Sequence, residues 1–152
     1  MTPIAKAEAV ADCSLEHAFS IISNMERFKD WFPKVMSISS ANKLPHGEVN
    51  KTYVERVSLP LRGTQAIEIV VKESVPNRRF VTEGQLPPLL PRMEIDLAPV
   101  DGGTTLISWQ MFSRSANPLV KALLLPFAKR IVQRRASVGV LRLKAMLEQP
   151  LT

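Results

Sequence analysis

Ile67-Glu68-Ile69-Val70-Val71-Lys72 and Met93-Glu94-Ile95-Asp96-Leu97 place an apolar side chain at every second position, with mostly charged residues between. Successive side chains of a strand point to opposite faces, so each stretch reads as a strand with one buried and one wetted side. That is the pattern of an antiparallel sheet covered on one face. Working outward gives six strands in a row, at about 35–42, 49–59, 63–74, 79–83, 92–99 and 104–114. Turn residues separate them: Leu44-Pro45-His46-Gly47, Pro60 to Arg62, Pro76-Asn77, the proline-rich run after Gln85, and Asp101-Gly102-Gly103. Glycine, proline and asparagine favour turns, and connections this short make neighbouring strands antiparallel partners.

Upstream, Ile4 to Val10 alternates as one more strand. Ser14 can cap a helix with Glu16 in its first turn and Leu15, Ala18, Phe19 and Ile22 on one face. Ser23-Asn24 breaks it. A second short helix, Met25 to Trp31, stops before Pro33, which cannot continue it. Phe28, Trp31 and Phe32 form the densest aromatic cluster, and core packing is the expected role. Downstream, Asn117 can cap a helix whose first position is Pro118. Pro126 predicts either a kink or a short lead-in helix followed by a long one from Phe127 to Leu147.

The chain has 152 residues, enough for one domain with a substantial core. Its hydrophobic fraction of 45% and charged fraction of 22% are ordinary for a globular protein. No apolar run approaches the ~20 residues of a membrane span, and the N-terminus does not read as a signal peptide. Cys13 is the single cysteine, so no internal disulfide can form and a reducing cytoplasm is the expected location. The net charge of +6 is unevenly spread. Asn117 to Glu148 holds seven bases and one acid, which leaves thirteen of each sign elsewhere. A basic stripe on a helix can serve nucleic acid, anionic lipid or plain solvation.

Asp12-Cys13-Ser14-Leu15-Glu16-His17-Ala18-Phe19 and Met25-Glu26-Arg27-Phe28-Lys29-Asp30-Trp31-Phe32-Pro33, with Gly102-Gly103-Thr104 and Trp109 later on, resemble the START, polyketide-cyclase and pollen-allergen (SRPBCC) superfamily. The likeness covers nearly the whole chain and is nearest to the bacterial cyclase/dehydrase-like and coenzyme Q-binding branch. It implies an α+β helix-grip fold: a curved seven-stranded antiparallel sheet wrapped around a long C-terminal helix, with two short helices after the first strand. Residues 1–152 would form a single START-like ligand-binding domain. The resemblance also implies a cavity between sheet and helix. It does not select one activity, because the superfamily hosts carriers, cyclases, hydrolases and interaction modules.

In such a fold the inward strand phase would line the cavity with Tyr53, Ile69, Val71, Phe80, Met93, Ile95, Leu97 and Trp109. The final helix would add Phe127, Ile131, Arg135, Val138 and Arg142. Wound at about 100° per residue, that helix has a polar sector of Arg130, Gln133, Ser137, Lys144 and Glu148. Arg135 and Arg142 fall in the apolar arc opposite. A buried guanidinium needs a partner or an exit to water, so each either snorkels or pairs, or else one binds an anionic group of a ligand. Glu55 shares the inward phase of Tyr53. Glu55 and Arg135 are therefore the candidate catalytic groups.

Three connections are greasy where loops are normally polar: Leu59-Pro60-Leu61, Leu86-Pro87-Pro88-Leu89-Leu90-Pro91 and Leu119 to Phe127. Hairpins of a meander alternate between ends, so all three fall at one end. Either they plug an open core or they form a portal of Leu59, Leu61, Leu86, Leu89, Leu90, Leu123 and Leu124. Arg62, Arg92, Arg114 and Lys121 flank them, which fits transient contact with an anionic membrane.

His17 and His46 have no cysteine, serine or carboxylate at a spacing that suggests a triad or metal site, and Cys13 reads as a packing residue. No phosphate loop or Cys-x-x-Cys is present, so no metal and no cofactor are expected. The first expectation is a carrier or chaperone for a small hydrophobic, lipid-, isoprenoid- or polyketide-like ligand. The second is a cyclase or dehydratase using the same cavity. The third is an interaction module using the basic helix. That helix lacks interleaved exposed aromatics, so nucleic acid is not the expected partner.

Overall fold

The computed structural model describes residues 1–59 and 63–150. Strand β1 (Thr2–Ala11) leads into α1 (Leu15–Ile22), a 3-10 turn at Met25–Arg27, and α2 (Phe28–Trp31). Six strands follow: β2 (Ser37–Ser40), β3 (Thr52–Leu59), β4 (Gly63–Val75), β5 (Arg79–Gly84), β6 (Pro91–Val100) and β7 (Thr104–Ser113). A π-helical turn at Val120–Leu124 then runs into α3, Leu125–Leu147. The sheet order is β1-β7-β6-β5-β4-β3-β2, antiparallel throughout. This is the helix-grip architecture that the strand pattern and the resemblance called for.

The local signals act as their chemistry dictates. Ser14 Oγ accepts from the His17 N–H at 3.0 Å, and Asn24 Oδ1 accepts from the Glu26 N–H at 3.0 Å. Asn117 Oδ1 accepts from the Leu119 N–H at 2.9 Å, which starts the C-terminal helical segment. Pro126 does not break that segment. Its missing N–H falls where the chain has widened into the π turn, and Leu125 donates five residues back to the Val120 carbonyl. The segment expected at 35–42 shrinks to Ser37–Ser40, and the one expected from 49 starts at Thr52. Polar side chains organise the turn between them: buried Lys51 donates Nζ to the Asn42 carbonyl at 2.8 Å.

The core fills the concave side of the sheet. Phe32 stacks on Trp109 at 5.4 Å and on Phe28 at 4.8 Å, while Trp31 meets Phe28 edge-on. Helix α3 lies along β1 and against α2, burying Leu125, Ala136, Gly139, Val140, Leu143 and Leu147. Gly139 permits a close approach, since a Cβ there would sit 3.1 Å from Phe32 Cδ2.

The registration of α3 corrects the expected helix phase. Phe127 is 70% exposed, and Ile131, Val138 and Arg142 are exposed as well, so none of the four faces the interior. The reason lies in the polar residues. Gln133 and Lys144 turn toward the open edge of β1, bonding the backbone of Lys6 and Val10, which rotates the apolar residues opposite them outward.

Candidate functional site

β3, β5 and β7 run in the same direction, so the connections after them leave at one end of the sheet. The first includes Leu61, which lies outside the described residues, as do Arg62 and the side chain of Leu59. In the second, Leu86, Leu89 and Leu90 are half-buried. This loop is tied to the third connection: Arg114 N–H donates to the Leu90 carbonyl at 3.0 Å and Ser113 Oγ to the Leu89 carbonyl at 2.6 Å. Leu124 packs on the core, and Leu123 points outward, 67% exposed.

A cavity opens beside this end. Its walls are Ile67 and Ile69 of β4, Gly84 at the close of β5, Pro91 and Met93 of β6, and Met111 of β7. Met25 and Phe28 cover it from the helical side, and Glu55 and Thr82 are its polar residues. The accessible volume is about 60 Å³, against the roughly 300–1,000 Å³ of common ligand pockets. Three methionines among the walls give it deformable sides, because Met is unbranched and repacks readily.

None of these wall residues comes from α3, so this cavity does not lie between sheet and α3, where one was expected. Trp31 and Phe32 lie between Trp109 of the sheet and the inner face of α3, where Gly139 meets Phe32. Of the residues expected to line a cavity, Ile69 and Met93 do so. Tyr53, Val71, Phe80, Ile95, Leu97 and Trp109 are core residues away from its walls. Arg135, half-buried on α3, is not on the walls either, so it does not share a site with Glu55. Met25, Phe28, Ile67, Thr82, Gly84, Pro91 and Met111 were missed. Gly84 and Pro91, flanking the leucine-rich loop, were the readable signal for where the cavity sits.

Glu55 is the chemically distinctive wall residue. Burial pushes its carboxyl up from 4.5 to about 7. Among the described residues no charged partner offsets that burial, and the strand register sets Ile38 and Ile67 beside it. Near neutrality this side chain exchanges between an acid that donates a hydrogen bond and a carboxylate that accepts one.

A second polar group emerges only in three dimensions. His46 Nδ1 lies 2.6 Å from the Tyr53 hydroxyl, and His46 Nε2 lies 3.2 Å from Glu26 Oε1. Burial pushes the Tyr53 hydroxyl up to about 12, against a smaller lowering from its backbone bond with Met25. It therefore keeps its proton, and the direction of the 2.6 Å bond follows the imidazole tautomer. His46 is thus more than a turn residue, although the trio lies off the cavity walls.

The arginines expected to flank a portal divide. Arg92 and Arg114 are committed on the outer face of the sheet: Arg92 pairs with Glu83 at 2.8 Å and Glu94 at 2.7 Å, and Arg114 with Glu83 at 3.5 Å. Desolvation opposes the charge on Glu94, but hydrogen bonds from Arg92 and Arg79 outweigh it and hold the carboxyl low. Lys121 is exposed. Among the described residues no three His, Cys, Asp or Glu side chains gather as a metal site.

Comparison with known proteins matches this architecture. A START superfamily protein from Mycobacterium smegmatis is similar with a TM-score of 0.70 at 14% identity, covering 97% of this chain and 98% of that one. A protein from Thermus thermophilus gives 0.71 at 11% identity, covering 94% and 95%. The di-domain ARO/CYC StfQ from the steffimycin biosynthetic pathway gives 0.69 at 14% identity, covering 97% of this chain and 51% of that one. These likenesses show the fold. No curated protein matches the chain. The family model described as polyketide cyclase / dehydrase and lipid transport matches residues 3–148, nearly end to end, and the chain belongs to that family.

Proposed function

We propose that the protein binds a small hydrophobic molecule at the Glu55 cavity, between the ends of β3–β7 and the Met25–Phe28 segment, as a carrier or chaperone. The observation that carries this reading is an apolar cavity containing one carboxyl that has no charged partner among the described residues, beside a rim of half-buried leucines. The apolar walls favour a lipid-, isoprenoid- or polyketide-like body, and neutral Glu55 can donate to a single ligand carbonyl or hydroxyl. At about 60 Å³ the cavity admits only part of such a molecule. Uptake therefore requires Met25, Met93 and Met111 to swing aside.

A second reading is favoured by the same carboxyl. A group that titrates near 7 can deliver and remove a proton in one cycle, as cyclisation or dehydration of a polyketide-like chain demands. Glu55 would be the acid–base group; Arg135 has no place in this scheme.

Native mass spectrometry of gently extracted protein tests the binding reading. A bound apolar species should appear and should be lost in Met111→Trp, which fills the cavity. Bare polypeptide in every preparation counts against it. Glu55→Gln separates the two readings: a carrier keeps most of its ligand, whereas an enzyme keeps ligand and loses turnover.

A further inference from the structure

Helix α3 is apolar on two opposite sides. Its inner side forms core, and its outer side, with the turn before it, leaves Leu123, Phe127, Ile131, Val138 and Leu141 between 40% and 70% exposed, with Leu119 at 67% just upstream. At 100° per residue Phe127, Val138 and Ala145 lie within about 20° of one line, with Ile131 and Leu141 about 40° to either side. From Phe127 to Leu141 the stripe is roughly 21 Å long at 1.5 Å per residue. A helix facing water does not need such a stripe, and exposed apolar residues clustered on one side mark a contact surface.

The charges around the stripe select the occupant. Arg134 sits near its midline, Arg130 about 60° to one side and Arg142 about 60° to the other. From Asn117 to Leu147 there is no acidic residue. The ion pairs among the described residues involve other groups: Lys144 pairs with Glu148, and Arg27, Arg79, Arg92 and Arg114 pair elsewhere. Arg130, Arg134 and Arg142 are all exposed and have no ion-pair partner among the described residues. A second copy laid face to face would bring these arginines against their counterparts with no carboxylate between them. An anionic bilayer surface meets both features at once, because its acyl boundary accepts Phe127 and the leucines while the arginine stems snorkel to phosphates.

We infer that the outer face of α3, with the Leu119–Leu123 lead-in, docks peripherally on membranes rich in anionic phospholipid. Among the described residues no helix is long and apolar enough to cross a bilayer, so the helix would lie along the surface. The surface stands apart from the Glu55 cavity, and docking does not require a ligand there.

Flotation of the full chain with phosphatidylcholine vesicles, with or without phosphatidylglycerol, tests the inference. Binding should require phosphatidylglycerol and weaken with salt. Phe127→Asp combined with Leu123→Asp should reduce partitioning at least about tenfold, and each of Arg130→Ser, Arg134→Ser and Arg142→Ser about fivefold. All five positions are exposed, and unchanged thermal melting confirms intact folding. Lys29→Ser, Lys43→Ser and Lys72→Ser remove the same charge elsewhere and should leave flotation unchanged. The inference is overturned by absence of flotation, by equal loss in the lysine variants, or by retention in the aspartate variants. A dimer in light scattering that Phe127→Asp dissociates would assign the face to a second copy and also overturn it.

Discussion

Gln133 closes a two-way bond onto the backbone of Lys6: its Oε1 accepts from the Lys6 N–H at 3.0 Å while its Nε2 donates to the Lys6 carbonyl at 2.8 Å. A glutamine side chain thereby acts as one residue of an eighth strand. β1 is an edge of the sheet, and an edge with free backbone groups invites pairing with another chain. Lys144 Nζ bonds the Val10 carbonyl at 2.9 Å, and Glu148 accepts from the Asp12 N–H at 2.8 Å, extending the seal. Gln133→Ala should cost about 1 kcal/mol, and amide exchange at Lys6 should accelerate about tenfold. Unchanged exchange would show that water replaces the amide without loss.

The carboxyl of Glu55 makes stability depend on pH in a direction unusual for an acid. The unfolded chain ionises this group near 4.5, while the folded chain holds its proton up to about 7. Between these values the folded state binds more protons, so stability from this group is full below 4.5 and is lost as pH rises through 7. The whole effect is about 3 kcal/mol. Glu94 and Glu148 are held low, and their contributions are lost on the acid side, below this window. Urea unfolding from about pH 4.5 to 8 should show the decline. Glu55→Gln should flatten it and be the more stable protein at the upper end. A wild-type curve that stays level would show Glu55 ionised in the folded state.

Gly139 lies where α3 approaches the aromatic core closely. Alanine there gains up to about 1 kcal/mol of helix propensity. Its Cβ, however, would meet Phe32 Cδ2 at 3.1 Å, the Trp31 carbonyl at 3.5 Å and Pro33 Cδ at 3.6 Å. Phe32 is stacked on both Phe28 and Trp109 and has little room to yield. Gly139→Ala should lower stability by about 1 kcal/mol net, and Gly139→Val by about 3 kcal/mol. A stabilised alanine variant, read from its thermal midpoint, would mean that the aromatic stack slides.

His46 and Tyr53 hold the 41–51 turn to the sheet. Tyr53→Phe should cost about 1 kcal/mol, because it removes a buried hydroxyl together with its bond. A double-mutant cycle with His46→Ala should give a coupling near ~1 kcal/mol. A coupling near zero would leave the 2.6 Å contact without energetic weight.

Alternation at 67–72 and 93–97, proline and glycine at the turns, and caps at Ser14 and Asn117 made the sheet order and the starts of the first and last helical segments legible. These are local properties, set by side-chain period and by the conformations that proline and glycine allow. The end of the sheet where the cavity opens was legible for the same reason, since hairpins must alternate. The phase of α3 was not. A helix apolar on two sides offers two faces to the core, and the choice fell to Gln133 and Lys144, which reach across to a β1 far away in sequence. The walls at Met25 and Met111 and the His46–Tyr53 contact were hidden likewise, because they join segments that meet only after the sheet has curled. Period, turns and caps were the chain's own; which helix face touches the sheet, and where a void is left, depended on contacts between distant segments that no local pattern encodes.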